Sequence, residues 1–355
     1  MRWMRTLTLG GLVVCGGCTK SKVDEGQDIV LKGKVVDEAG AALSGELLKF
    51  YRSENSACAL ASFSSSWKSV KTQADGTFKL DLLGADTRNG GIARCFVARS
   101  PDRTQGRGVS AAFLIQSGDV TLPTLQEWTG SPTATAAAQG VSVGFKSLSG
   151  THGAGPDEHT LTVRGGSLRP VWVVSKATTP AVLSDYALED LAGLKAFLSA
   201  ERDAKVGDET VDITYTSDEV ALPRRALVPV SRGATCTYTQ AATPCPLTHG
   251  GLGDIVLFQS GVREVALRLP RAVVARKAVL RNFAVTGSLS ELVLEGSADG
   301  TQWTSMANLL AGAGVQPFVE VDLTGTTPVS HVRIRAVARD ATGELRSLGQ
   351  LSLFE

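Results

Sequence analysis

The sequence predicts an all-β protein built as three β-sandwich domains in tandem. Its 355 residues exceed what one hydrophobic core holds, since cores stop growing near ~250 to 300 residues. Apolar and polar residues alternate in many short runs, the period of a strand, and no long helical heptads appear. Thirty-eight glycines supply the turns that such short strands need. With 43% hydrophobic and 20% charged residues the chain can bury a core, which excludes a disordered chain.

The first residues read as an export signal rather than as part of the fold. Arg2 and Arg5 precede the apolar run TLTLGGLVV, and small residues follow. That run is too short to span a bilayer, and no later stretch reaches the ~18 uninterrupted apolar residues of a spanning helix. The stretch VVCGGCTKSK resembles the end of a bacterial lipoprotein signal, with Gly16 and Gly17 before Cys18 and Cys15 where a leucine is usual. The resemblance implies a signal peptide over 1–17, an acyl (palmitate) anchor on Cys18 and residence in the bacterial envelope, at the outer membrane. An ordinary secretory signal and a C-x-x-C redox pair are the alternatives for the same residues. TKSKVDEGQ reads as a short tether, so that 18–27 link lipid to fold.

Removing 1–17 takes out Arg2 and Arg5 and no acid, moving the formal charge from +1 to −1. A near-neutral mature chain lacks the basic footprint of a nucleic-acid binder and has no polybasic run for anionic lipid. Beyond Cys15 and Cys18, four cysteines remain: Cys58, Cys95, Cys236 and Cys245. An even number in an exported chain points to two disulfides, and pairing Cys58 with Cys95 and Cys236 with Cys245 keeps both local among three connectivities.

The first domain is placed over 28–123. In DIVLKGKVVD, Ile29, Leu31 and Val35 fall on one face and Lys32 and Lys34 on the other. SGELLKFYR, RCFVARS and RGVSAAFLI read as further strands, and WKSVKTQADGTFKLDLL as a hairpin turning at Asp75-Gly76. Gly33, Val35, Asp37, Gly40, Leu43, Gly45, Asp75, Gly76 and Phe78 match the pattern of the carboxypeptidase regulatory-like domain, so the segment resembles that transthyretin-like sandwich. The resemblance implies an accessory module and brings no catalytic residue.

The Pro-, Thr- and Ala-rich run VTLPTLQEWTGSPTATAAAQG marks the next boundary. VSVGFKSL, HTLTVR, RPVWVVSKAT and DETVDITYTS alternate beyond it, and 124–232 resembles a fibronectin type III, immunoglobulin-like sandwich with Trp128 near its start and Trp172 in a central strand. LEDLAGLKAFL, with Leu188, Leu191, Leu194 and Leu198, also fits one amphipathic helix.

From 233 to 355 the order of strands changes. Ser297, Asp299, Gly300 and Trp303 in S-x-D-G-x-x-W, with VRIRA after them, resemble the discoidin or coagulation-factor type C family, a galactose-binding-like jelly roll. The resemblance implies sugar or lipid-headgroup binding by loops at one end. RNFAVTGS and AVARDATGELRS place Arg281, Asn282, Phe283, Arg339, Asp340 and Arg346 there, with one aromatic for stacking and several groups for hydroxyls. The family also implies a structural calcium. His249 and Gln350 stand where acids are usual, leaving Asp254 and backbone carbonyls as oxygen ligands, so no metal residue is assigned and no cofactor is expected.

Other chemistry lacks its context. GVSVG matches the nucleophile-elbow pattern at Ser142, yet Val141, Val143 and Phe145 alternate as in a strand, whereas the elbow needs a strand-turn-helix. HGGLG resembles an esterase oxyanion loop without an α/β sheet around it, and His152, Asp157, Glu158 and His159 fit no zinc spacing. No catalytic residue is assigned. The expected protein is a non-catalytic envelope lipoprotein that takes a carbohydrate or protein ligand; the alternatives are a spacer or scaffold for envelope partners and, more remotely, a serine hydrolase.

Overall fold

The computed structural model describes residues 20–53, 66–100, 107–148, 158–166, 170–207, 209–236, 245–248, 255–286, 289–310, 318–339 and 343–355. Cys18, Cys58, His152, Asp157, His249, Asp254 and Asp340 lie outside the described residues. Among the described residues the protein is all-β: strands fill several sheets, and the helices are the single turns Gly84–Thr87 and Asp185–Leu188.

Alternation places the first strand as expected. In Asp28–Val36, Ile29, Leu31 and Val35 are buried while Lys32 and Lys34 face out. The strand pairs antiparallel with Thr77–Leu83, setting Gly33 opposite Phe78. Phe78 folds its ring across the bare Gly33 backbone, so a Cβ there would stand 2.6 Å from the ring edge. The glycine and the phenylalanine of the sequence pattern are thus one contact.

The run around Asp75-Gly76 is not a two-stranded hairpin. Lys68–Lys71 pairs with Leu47–Arg52 in one sheet, and Thr77–Leu83 pairs with Asp28–Val36 in another. The turn, with Gly76 at φ 78° and the Asp75 carboxylate accepting from the Thr77 N–H at 3.0 Å, carries the chain from one layer to the other. Thr77–Leu83 buries Phe78 and Leu82 and Lys68–Lys71 half-buries Val70 against the same core, which sets the two strands in different layers.

Leu47–Arg52, Cys95–Ser100 and Gly108–Leu114 continue without a break into the next segment. Thr214 pairs with Ser110 and Tyr215 with Val109, so Glu209–Thr216 extends the ladder, followed by Lys195–Val206, His159–Arg164 and Pro170–Val174. One nine-stranded sheet therefore runs through both segments, with two smaller sheets packed on it. A single cluster fills this half of the molecule, from Val23 through Phe50, Phe96, Trp128 and Leu161 to Leu222. Part of the Pro-Thr-Ala run is also structured: Val120–Thr121 and Leu125–Gln126 both pair parallel with Asp28–Val36.

Two further readings are corrected. Trp172 sits on Pro170–Val174, the edge of the nine-stranded sheet rather than a central strand, because among the described residues only His159–Arg164 lies beside it. In LEDLAGLKAFL only Leu188 is helical, the last residue of the turn Asp185–Leu188 capped by Ser184; Glu189 at φ 53° ends it, Gly193 at φ 69° turns the chain again, and the strand Lys195–Val206 follows.

The third segment has its own core. The five-stranded sheet containing Glu264–Val273, Val329–Ala338 and Leu289–Ser297 contributes Leu267, Ile334 and Leu294. Facing them are Leu280 of Lys277–Arg281, Val319 of Phe318–Asp322 and Leu353 of Leu351–Phe354. The Cys236–Cys245 disulfide forms as expected, with Cα atoms 4.9 Å apart. Cys95 is disulfide-bonded too.

The expected tether is not loose. Ser21 donates its N–H to the Gly91 carbonyl at 2.9 Å, Lys22 to Gln116 at 2.8 Å, and Val23 is buried in the core. From Lys20 onward the chain is a strap fastened to the first sheet system.

Candidate functional site

The second Asp-Gly turn, unlike the first, closes a true hairpin between Leu289–Ser297 and Thr304–Asn308. Gly300 takes φ 79°, and the Asp299 carboxylate accepts from the N–H groups of Thr301 at 2.8 Å and Gln302 at 3.0 Å. Those backbone bonds, Gln302 first, hold the carboxyl well below the usual carboxylate range, so it is fully ionised near neutrality.

The turn sends Trp303 back over the outer face of the five-stranded sheet. There the Arg333 guanidinium lies 4.5 Å from the centre of the indole, which stays partly exposed. Period-2 alternation in Val329–Ala338 buries Val332, Ile334 and Ala336 and turns Arg333 and Arg335 outward. Glu295, directly across from Arg333, accepts from Arg333 Nε at 2.7 Å and from Arg335 Nη2 at 2.7 Å. Glu264 adds a second carboxylate, 3.2 Å from Arg333 Nη1. The hydrogen bond from Arg335, outweighing burial, lowers the Glu295 pKa, and Glu295 in turn raises that of Arg335. The result is a preorganised row on a rigid sheet: a partly exposed aromatic ring and two guanidinium groups, fixed from beneath by the buried Glu295 carboxylate and flanked by the exposed Glu264, able to meet sugar C–H faces and hydroxyls together.

The loop residues expected to hold a ligand are not gathered in one place. Arg281 is buried, with Nη1 2.7 Å from the Glu189 carboxylate and Nη2 donating to the carbonyls of Tyr186 and Ala187 at 3.1 and 2.8 Å. Asn282 donates to the Pro170 carbonyl at 3.1 Å, and Phe283 is buried in the third core. Arg281 and Asn282 fasten the third body to the preceding one, which removes Arg281 from solvent and leaves Asn282 half-buried. Gln350 joins them, donating to Glu189 at 3.2 Å. Arg339 is exposed beyond Val329–Ala338, and Arg346, on the strand Glu344–Leu348, is half-exposed beside Glu344 at 3.5 Å.

Trp303, Arg333 and Arg335 were legible only as marks of strand order. The alternation in VRIRA already put both arginines on one face; the fold-back of Trp303 onto them required the hairpin.

Ser142 lies mid-strand in Gly140–Gly144, opposite Thr135 and Val182. Glu158 pairs with Lys176 at 2.6 Å, and His159 is buried with Nε2 accepting from the Leu148 N–H at 3.2 Å. Among the described residues no group of three or more His, Cys, Asp or Glu is arranged to hold a metal ion.

No model of a known protein family matches the chain, and no curated protein matches it. Solved structures with some likeness include chitosan-binding module 1 of a chitosanase/glucanase from Paenibacillus sp. IK-5, 15% identical, with 36% of this chain and 98% of that one covered at TM-score 0.28. A Clostridium perfringens module, CpGH89CBM32-5, in complex with GalNAc-β-1,3-galactose is 15% identical over 36% and 99% of the two chains at TM-score 0.26. The SusE-like protein BT2857 is 10% identical over 62% and 95% at TM-score 0.25.

Proposed function

We propose that the protein is a non-catalytic binding protein of the bacterial envelope, exported, held at the outer membrane by a lipid on Cys18, and taking a carbohydrate ligand on its third body. The observation that carries this reading is the Trp303–Arg333 stack within its row of Glu295, Arg335 and Glu264. A partly open indole suits the apolar face of a sugar ring, and the Arg333 and Arg335 guanidinium groups with the exposed Glu264 carboxylate suit its hydroxyls. The galactose-binding-like jelly roll implied by S-x-D-G-x-x-W agrees with that use. Probing the full soluble chain on a glycan array is expected to give binding that Trp303→Ala abolishes and Arg346→Ala leaves intact. Binding that survives Trp303→Ala, or no glycan binding by the full chain, overturns the carbohydrate reading.

The buried Arg281–Glu189 pair favours a second reading, a rigid spacer that positions an envelope protein. Cross-linking in intact envelopes separates the two: a spacer yields a discrete protein adduct and no glycan competes with it.

A further inference from the structure

The strap that begins at Lys20 fixes where the membrane must lie. Its backbone is tied at every step: Lys20 bridges to Ile92, Ser21 N–H reaches Gly91 O at 2.9 Å, and Lys22 N–H reaches Gln116 O at 2.8 Å. Val23 is 1% exposed, and Arg88 Nη1 grips its carbonyl at 2.9 Å. Further along, Gln27 and Glu25 carbonyls accept from Gly84 and Ala85 at 2.7 and 2.9 Å, and any side chain at Gly84 would strike the Asp24 carbonyl. A strap with a buried apolar anchor and this many bonds cannot swing as a linker does.

Only Thr19 separates Cys18 from Lys20. Two residue steps reach at most about 7 Å. That is roughly the depth of one headgroup layer, about 5 to 7 Å on each side of the hydrocarbon core. An acyl chain in the hydrocarbon thus leaves Lys20 among the headgroups.

We infer that the docked strap presses the Lys20–Lys22 and Asn89–Gly91 rim of the protein flat against the bilayer, so that the shortness of the strap holds the body in one orientation on the lipid surface instead of letting it hang from a tether. The inference rests on the lipid anchor proposed above. Charge runs the right way along the strap. Lys20 and Lys22, both exposed, occupy the end next to Cys18, while Asp24, Glu25 and Asp28, also exposed, occupy the far end. The Arg88–Asn89 and Ile92–Ala93 strands present their Gly90–Gly91 tip beside the lysines, with no bulky side chain to hold the headgroups off.

The test uses the full chain, acylated in the bacterium and reconstituted in vesicles of phosphatidylethanolamine and phosphatidylglycerol. Fatty-acid incorporation is read first, and each lysine is then footprinted with an amine-acetylating reagent against the soluble Cys18→Ser form. Lys20 and Lys22 are expected to react several-fold more slowly in the anchored form, with Lys176 and Lys195 unchanged. Inserting a long Gly-Ser segment between Thr19 and Lys20 is expected to restore their reactivity without altering acylation, and it lies outside every bond of the strap. Equal labelling in anchored and soluble forms overturns the apposition while the anchor stands. Protection that persists through the insertion also overturns it, since adsorption and not the short strap would then be its cause. Failure to incorporate fatty acid overturns the anchor and the apposition together.

Discussion

Arg281 and Glu189 form an ion pair 2.7 Å long in which both side chains have left water, at 2% and 0% exposure. Glu189 closes the helical turn Asp185–Leu188 at φ 53° and also receives Gln350 and Ser352, while Arg232 approaches at 3.5 Å. Trp172 against Phe318 and Tyr186 against Phe354, with ring centres 5.8 and 5.0 Å apart, flank this polar centre. Removing Glu189 strands Arg281 as a buried charge, and removing Arg281 leaves the Glu189 charge to the longer Arg232 contact. Arg281→Met and Glu189→Gln are each expected to lower stability by about 3 to 5 kcal/mol, and the double variant by much less than the sum. Urea unfolding of the four proteins checks this; single losses below about 1 kcal/mol would show that water reaches the pair.

Gly33 and Phe78 make a second, wholly apolar interlock. Gly33→Ala must push a ring that is 2% exposed, at an expected cost of about 1 to 3 kcal/mol. Phe78→Ala removes the ring and leaves a cavity, for a loss of about 3 to 5 kcal/mol. Phe78→Leu combined with Gly33→Ala should recover part of that loss, because the shorter side chain gives the new methyl room. Thermal unfolding in the three backgrounds reads the difference.

The Cys236–Cys245 bridge spans a sequence separation of 9, and Cys245 is 1% exposed within the third core. Loop closure of that size is worth about 2 to 3 kcal/mol in the chain-entropy description. Replacing both residues by alanine is therefore expected to lower the unfolding midpoint of the third body. Reductant should reproduce the shift of the third body in the parent chain, while in the double variant it leaves only the change that comes from the Cys95 disulfide.

Alternation carried most of the strand assignments, from Asp28–Val36 to Val329–Ala338, because each such strand buries one face. What alternation could not show is which strands share a sheet. The two Ala-Asp-Gly-Thr turns have the same backbone bend, yet one crosses between layers at Asp75-Gly76 and the other closes a hairpin at Asp299-Gly300. The Tyr215–Val109 ladder that joins the first two segments was equally invisible, since pairing depends on partners far along the chain. At the site, charge and exposure misled: Arg281 looked like a loop ligand because nothing in RNFAVTGS reveals that Glu189 will meet it. The polarity of 18–27 reads as a tether, and the single apolar Val23 is the only sign in it that the part from Lys20 onward docks.

His159 gives the chain a pH-dependent element. It is 8% exposed between Trp128 and Phe145, each ring centre 5.4 Å away, and burial lowers its pKa below the ordinary 6.5. Nε2 accepts the Leu148 N–H, a role that only the unprotonated nitrogen can fill. In acid the unfolded chain therefore binds a proton at this residue more readily than the folded one. The stabilisation is complete above the unfolded pKa and is lost as pH falls from there towards the folded one, at no more than about 1.4 kcal/mol per pH unit for one proton. Urea midpoints measured between about pH 7 and pH 5 should fall in the parent chain and run flatter in His159→Gln, which keeps an acceptor without a titrating ring. Depressed carboxylates such as Glu295 act in the same direction but only near their own, lower range, so a slope that persists unchanged in His159→Gln would assign it to another group.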